Sequence, residues 1–434
     1  MTTMNTFPNH RSLYRLPWSL PDNPIAWLEP TAACNIYCEG CYRANVKNGH
    51  KSLDEVRGEL ETFSRFRNFD GVSIAGGDPL THPEVVRIVE MAATMGYKPI
   101  VNTNGVALTD PLLRDLKNAG VVGFTFHVDS RQNRPGWKGK NETELNELRL
   151  ELAERLARVG GISCAFNATV YEDTLAEMPG IVAWARKHID KVHVVVFIAF
   201  RQAAEEATQG MEFFVQGESI DFKKLVYSRP VKGKRLDISS RDLVAEFRKH
   251  FPDFSPCAYL NGTEKADSLK WLLTTYLGTK DRVFGYVGPR FMELGQGLYH
   301  WKHGRYMAYA SPRTLRSGRS IAGLAWPLDS GLREAWGRYL RHGLAYPLRP
   351  FPRLYMQSVM IIQSIDVMAD GRMNMCDACP DITVHEGELV WSCRLEERKK
   401  FGGFARGAPG HEEAVPAESP AAGPHPEEAA PAEV

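Results

Sequence analysis

Between residue 25 and residue 200 the chain alternates short β-branched runs with longer stretches whose apolar residues recur at helical spacing. The predicted strands are IAWLEPTA (25–32), GVSIAGG (71–77), KPIVNTNG (98–105), GFTFHVD (123–129), ISCAFNATV (162–170) and KVHVVVFIAF (191–200). The intervening segments read as amphipathic helices. Gly96, Gly120 and Gly160 follow three of them, as helix-ending glycines do. Thr109 with Pro111, and Thr81 before His82-Pro83, read as helix starts. Repeated β-then-α units imply parallel strands with right-handed crossovers. The expected fold is α/β: a partial (β/α)6 parallel barrel with a C-terminal hairpin-rich module. In such folds the loops after the strand C-termini carry the chemistry.

Past residue 200 the pattern weakens. Residues 239–250 read as a capped helix, and WLLTTYLG (271–278) as a short helix. From 360 to 395 alternation returns, with turn signals at Asp370-Gly371 and Glu386-Gly387. The expected division is an N-terminal extension (1–24), a barrel (25–200), an aromatic-rich substrate or linker region (201–356), a C-terminal module (357–405) and a disordered Pro/Ala/Glu tail (406–434).

Composition narrows the class. Fifty-three Lys and Arg against 52 Asp and Glu leave a net charge of +1, which gives no field for nucleic acid or anionic membrane. The longest apolar run, Val194–Phe200, falls far short of the roughly 20 residues of a membrane span. No apolar leader follows the N-terminus, so a cytoplasmic protein is expected. Eight cysteines in that compartment point to metal rather than disulfides, because six of them fall in two groups.

The first group is Cys34-Asn-Ile-Tyr-Cys38-Glu-Gly-Cys41, directly after the first predicted strand. Three thiolates in one loop can hold an iron–sulfur cube and leave its fourth iron open. A structural zinc loop is the alternative on spacing alone. CNIYCEGC resembles the CxxxCxxC motif of the radical S-adenosylmethionine (SAM) superfamily. Gly76-Gly77-Asp78-Pro79, Asn102-Thr103-Asn104-Gly105 and His127-Val128-Asp129 follow strands two to four, where that family places its SAM-contacting segments.

The resemblance implies a [4Fe–4S] cluster on Cys34, Cys38 and Cys41. It also implies SAM bound by Gly76, Gly77, Asp78, Asn102, Asn104, His127 and Asp129. Read as residues, Asp78 equally suits a helix cap, Asn104-Gly105 a turn, and His127 and Asp129 satisfied core groups. Cys164 reads as a small buried hydrophobe.

The second group, Cys376-x2-Cys379-x13-Cys393, resembles the auxiliary-cluster module of twitch or SPASM type found in many radical SAM enzymes. It implies a second Fe–S cluster with Cys257 as candidate fourth ligand; a zinc knuckle using His385 or Cys257 is the alternative.

The expected activity is SAM cleavage and hydrogen abstraction from a small or lipid-like substrate, fed by a one-electron donor such as flavodoxin or ferredoxin. A peptide maturase and a non-enzymatic cluster protein are the other readings. The lipid-like expectation rests on the aromatic, glycine-rich stretch 271–310 with His300, Lys302, His303 and Arg305, read as a pocket with a cationic mouth. The same aromatics equally suit the core of a second domain. The basic stretch 311–320 reads as a solvated loop.

Overall fold

The alternation of the first half folds as its spacing requires. The computed structural model describes residues 7–200, 210–225, 237–345 and 351–409. Strands β1 (Ile25–Leu28), β2 (Gly71–Ile74), β3 (Lys98–Thr103), β4 (Gly123–His127), β5 (Ser163–Val170) and β6 (Val194–Ala199) pair in parallel, in chain order. Helices α1 (Leu53–Phe66), α2 (Val85–Thr94), α3 (Asp110–Asn118), α4 (Asn146–Val159) and α5 (Met178–Lys187) form the returns.

Alternate strand positions divide the sheet. Ala26, Leu28, Val72, Ile74, Val101, Phe124, Phe126, Phe166 and Phe197 join the helices in one buried apolar cluster. Their neighbours on the opposite face include Trp27, Ser73, Asn102, Thr125, His127 and Asn167. A polar inner face beneath the strand ends is where a parallel barrel can bind a polar ligand.

Local signals set the boundaries. Ser52 and Glu55 form a reciprocal capping box on α1, and Thr109 caps α3 with Pro111 in its first turn. Gly160 ends α4 at φ +76°. Thr81 lies instead in a single 3₁₀ turn, Pro79–Thr81, capped by Asp78, and α2 starts at Val85.

The sheet then continues beyond the predicted barrel. Strands β7 (Ala258–Leu260), β8 (Trp271–Gly278), β9 (Val283–Tyr286) and β10 (Tyr355–Gln363) extend it, β10 pairing in parallel with β6. The helix expected over WLLTTYLG is therefore β8, paired with β10 along its whole length. Buried almost throughout, it shows no period-2 alternation, and a short apolar run of that kind reads equally as either element. The division expected at 356/357 falls inside β10.

The aromatics of 271–310 do not line one pocket. Trp271, Tyr276, Phe284 and Tyr286 are buried in the sheet and its covering helices, whereas Trp301 is 84% exposed. Helix α6 (Pro289–His303) and the strap after it close the N-terminal end of the barrel: Tyr299 Oη and Ala308 N donate to Asp70, which also pairs with Lys98. His300 faces Asp22 at 2.8 Å, and Arg305 donates to the Phe69 carbonyl. His300 and Arg305 thus stand at the end opposite the cysteine loop and form no mouth over it. The basic stretch 311–320 begins two helices, Pro312–Leu315, capped by Ser311, and Gly318–Ala325, rather than a loop.

The C-terminal segment spans the gap between the sheet's two edges. Gly262, just past β7, bridges Cys376, and Arg15 pairs with Asp377 at 2.5 Å. At the other edge Asn23 donates to the Ala378 carbonyl, and the hairpin β11 (Ile382–His385) and β12 (Glu388–Trp391) packs beside β1. Both predicted turns, Asp370-Gly371 and Glu386-Gly387, lie between paired strands. The expected tail begins as a strand, Arg406–Pro409, paired with Met211–Val215; residues 410–434 lie outside the described residues.

Candidate active site

The loop leaving β1 carries Cys34, Cys38 and Cys41, and the rest of the barrel rim holds it from three sides. Asn45 clamps the Cys34 backbone, accepting from its N and donating to its O, both at 3.0 Å. Tyr171 Oη donates to the Glu39 carbonyl, and Glu39 N to that of Arg131. Gly40, at φ +72°, lies where a Cβ would stand 2.3 Å from the Phe200 ring.

From β2, Gly77 N donates to Thr31 O and Asp78 N to Ala33 O, both at 2.8 Å. A Cβ on Gly76 would meet Thr31 O at 2.2 Å, and one on Gly77 would meet Ala33 O at 2.2 Å. Two backbones this close admit only glycine, which is why the pair is Gly-Gly.

Asp78 is 1% exposed and its carboxylate is fully engaged. It accepts from Thr103 Oγ1, from Asn104 N at 2.7 Å and from Leu80 N at 3.0 Å. Asp78 therefore caps the turn that follows it and ties that turn to the Asn102–Gly105 segment. Burial raises its pKa, against the hydrogen bonds from Asn104 and Thr103. Asn104 Oδ1 accepts from Val106 N, forming the turn. Its Nδ2 donates to Asn35 Oδ1 at 2.7 Å and lies 3.8 Å from Cys34 Sγ. The Nδ2 of Asn102 is buried without a partner among the described residues.

At the end of β4, His127 Nε2 meets Asp129 Oδ2 at 2.9 Å and Thr169 Oγ1 at 3.1 Å. Burial works to raise the Asp129 carboxyl, but the hydrogen bond and charge of His127 hold it below its ordinary value. The loop beyond is braced by Glu142 and Arg149, paired at 2.5 Å and wholly buried; Glu142 also accepts from Ser130 N.

The loop also places a group that sequence reasoning missed. Arg134 is 4% exposed and donates to the His127 carbonyl and to Gln132. Its Nε is buried without a partner among the described residues, and its charge acts on Cys38, Asp129 and Asp78. No local pattern distinguishes this arginine from the Arg131 beside it.

The structure brings the second cysteine group together as well. Cys376 and Cys379 act on each other's thiols, the charge of Cys393 acts on Cys379, and that of Cys376 acts on Cys393. Lys270, wholly buried and paired with Asp366 at 2.8 Å, places a positive charge near Cys376. Burial pushes the Asp381 carboxyl up to about 7 against the opposing charge of Arg67.

Cys257 does not join this group. It is buried in a separate apolar cluster with Leu277 and Phe284, and its thiol donates to the Leu273 carbonyl at 3.3 Å. Gly262, five residues further along an extended segment, is the residue that reaches Cys376. That separation is on the order of 16 Å. Nor is any cysteine among the charges acting on His385. Cys164 is a buried strand residue, as its sequence context predicts.

The donor sets suit iron–sulfur chemistry. Burial pushes the Cys34 and Cys38 thiols up, so a cationic cluster is what would make them thiolates. Among the described residues no three His, Cys, Asp or Glu side chains close around a single ion. A cube, by contrast, takes its thiolates on separate irons.

Residues 28–185 match the Radical SAM superfamily, a family that implies a [4Fe–4S] cluster and SAM. The chain is 31% identical over 108 residues to an AdoMet-dependent heme synthase of Methanosarcina barkeri, covering 24% of this chain and 30% of that protein. It is 27% identical over 183 residues to the PqqA peptide cyclase of Gluconobacter oxydans, covering 39% of this chain and 48% of that one. In both cases it spans less than half of the relative. The Streptococcus suis SuiB structure bound to precursor peptide SuiA aligns with 43% of this chain and 41% of that one, at 14% identity and a TM-score of 0.35.

Proposed function

We propose that this chain is a radical SAM enzyme that takes a hydrogen atom from a peptide substrate. The observation that carries the reading is the junction of Gly76–Asp78 with the cysteine loop, made by two 2.8 Å backbone hydrogen bonds beside the buried cation of Arg134. Cys34, Cys38 and Cys41 hold the [4Fe–4S] cluster in this reading. With SAM bound, that cluster supplies a 5′-deoxyadenosyl radical once a flavodoxin- or ferredoxin-like donor delivers one electron.

The protein's own part is to bind and orient. The backbone of Gly76 and Gly77 receives the methionyl amine, and Arg134 its carboxylate. Asp78 acts through the turns it fastens and touches no ligand. Asn104 donates toward the cluster sulfurs from beside Cys34, and Asn102 offers its free Nδ2 to the bound ligand. The pair His127–Asp129 stays a fixed hydrogen-bonding unit at the rim.

A peptide is favoured over a lipid for two reasons. The relatedness to a peptide cyclase supports it, and four of the segment's aromatics, Trp271, Tyr276, Phe284 and Tyr286, are taken up in the buried sheet. Cys376, Cys379 and Cys393 hold a second cluster in this reading. The chain has no described helix long and apolar enough to cross a membrane.

The test is anaerobic incubation with SAM and a strong reductant, followed by assay for 5′-deoxyadenosine. Wild type forms it, and Cys34→Ala, Cys38→Ala and Cys41→Ala do not. Turnover by any of these variants overturns the assignment. Co-expression with short peptides encoded beside the gene, read by mass, decides the substrate class. Peptides that stay unmodified beside an active enzyme return the choice to a small metabolite.

A further inference from the structure

The three cysteines of the C-terminal group leave one position of a cube without a ligand, and Cys257, the candidate the spacing offered, is sequestered elsewhere. We propose that Asp381 supplies the fourth ligand, an oxygen, to the cluster on Cys376, Cys379 and Cys393. This rests on the reading that those cysteines hold a cluster.

Two backbone contacts place Asp381. Arg67, 3% exposed, donates to the carbonyls of Cys379 and Pro380, which fixes the turn between the second cysteine and Asp381. Ser392 N then donates to Asp381 O at 2.9 Å. Asp381 thereby stands opposite the residue that precedes Cys393 and two residues beyond Cys379. The charge of its carboxylate acts on both the Cys376 and Cys379 thiols.

The other acids nearby are already engaged. Asp377 pairs with Arg15, Asp366 with Lys270, Glu397 with Arg394, and Glu29 with Arg43. Asp381 alone among these accepts no side-chain hydrogen bond from the described residues. A hard carboxylate oxygen on one iron of an otherwise thiolate-bound cube would close the cluster to substrate. It would also leave that iron the most exchangeable of the four.

The experiment uses the full chain carrying Cys34→Ala, Cys38→Ala and Cys41→Ala, so that only the second cluster remains. Iron content should stay near one cube, about four irons. After reduction in ¹⁷O-enriched water, the ¹⁷O coupling to the cluster is read by electron–nuclear double resonance. With Asp381 present no coupling is expected. Asp381→Ala should open the iron and show it, and Asp381→Cys should close the site again.

Coupling already present with Asp381 in place overturns the proposal, as does an Asp381→Ala spectrum identical to its parent. Should Asp381→Ala lose its iron, recovery of iron in Asp381→Cys upholds the ligand role, and loss in both overturns it. An iron-free parent means instead that the second-cluster reading itself has failed.

Discussion

Arg43 and Ser392 lie 349 residues apart in the chain and are joined by a 2.8 Å hydrogen bond. Both also reach one carboxylate: Arg43 binds Glu29 through Nε and a terminal nitrogen, and Ser392 Oγ donates to Glu29 Oε1 at 2.8 Å. Arg43 is two residues past Cys41, and Ser392 immediately precedes Cys393. A single buried acid therefore fixes the two cysteine segments relative to each other. Burial works to raise the Glu29 pKa, but the charge and hydrogen bonds of Arg43 hold it below its ordinary value.

The losses from removing the two charged members of this group should not add. Arg43→Gln leaves Glu29 as an uncompensated buried charge, a loss of about 3–5 kcal/mol. Glu29→Gln strands the guanidinium in the same way. In a double-mutant cycle by anaerobic urea denaturation, the Arg43→Gln/Glu29→Gln variant should be markedly less destabilised than the sum of the singles. Additive losses would show that the two groups do not depend on each other.

Gly77→Ala should separate the two loops that meet over the cysteine site. Its Cβ would stand 2.2 Å from the Ala33 carbonyl oxygen, a backbone atom with no rotamer to yield. We expect a stability loss of about 1–3 kcal/mol and a SAM affinity reduced at least tenfold with cluster iron retained. Gly58→Ala is the control, since a Cβ there meets nothing within 4 Å and the site lies inside α1. It should gain about 0.4–1 kcal/mol and bind SAM normally. Equal SAM affinity in both variants would dissociate the close approach from binding.

The parts of this molecule legible in the sequence are those whose interactions are local. The strands and helices of the first half announce themselves by period, and the cysteine loop, Gly76-Gly77 and the Asn104 turn announce themselves by spacing. Asp78 reads two ways because a cap and a ligand require the same residue; in the structure it caps the following turn and accepts from Thr103 and Asn104. What stayed hidden depends on distant pairing. WLLTTYLG becomes a strand because Tyr355–Gln363 lies beside it, and Cys257 faces Leu277 and Phe284 because β7 pairs with β8. The aromatic segment misled for the same reason. Composition describes what a pocket could contain, but which end of a barrel a strap covers is set by Asp70 and Lys98.

Acid should destabilise the protein through His193 before it reaches the carboxylates. This side chain is 3% exposed, accepts from Cys164 N through Nδ1, and has its pKa lowered by burial to about 4. An unfolded histidine titrates near 6.5, so the unfolded chain binds the proton first as pH falls. The stability His193 contributes is complete above about pH 6.5 and is lost progressively down to its folded value. Linkage puts the loss at about 2 kcal/mol by pH 5. His193→Asn keeps an acceptor for Cys164 N without a titrating group. Its melting temperature should fall less than that of wild type between pH 7 and pH 5, and parallel curves would place the acid sensitivity elsewhere.

Arg134 should matter to SAM rather than to the iron. Its guanidinium is held by the His127 carbonyl and Gln132, both outside the cysteine loop, so the loop does not need it to fold. Its Nε is buried without a partner among the described residues, and its charge acts on Cys38, Asp129 and Asp78. A charge-assisted hydrogen bond to the SAM carboxylate is worth about 1.5–3 kcal/mol. Arg134→Gln should therefore weaken SAM binding by about 10- to 150-fold in equilibrium dialysis against the reconstituted protein. Arg134→Lys keeps the charge but not the planar fork, and should recover part of that loss. Iron content should match wild type in both variants. A variant that loses iron along with SAM would make Arg134 a support for the cysteine loop, and one that keeps full SAM affinity would remove it from the site.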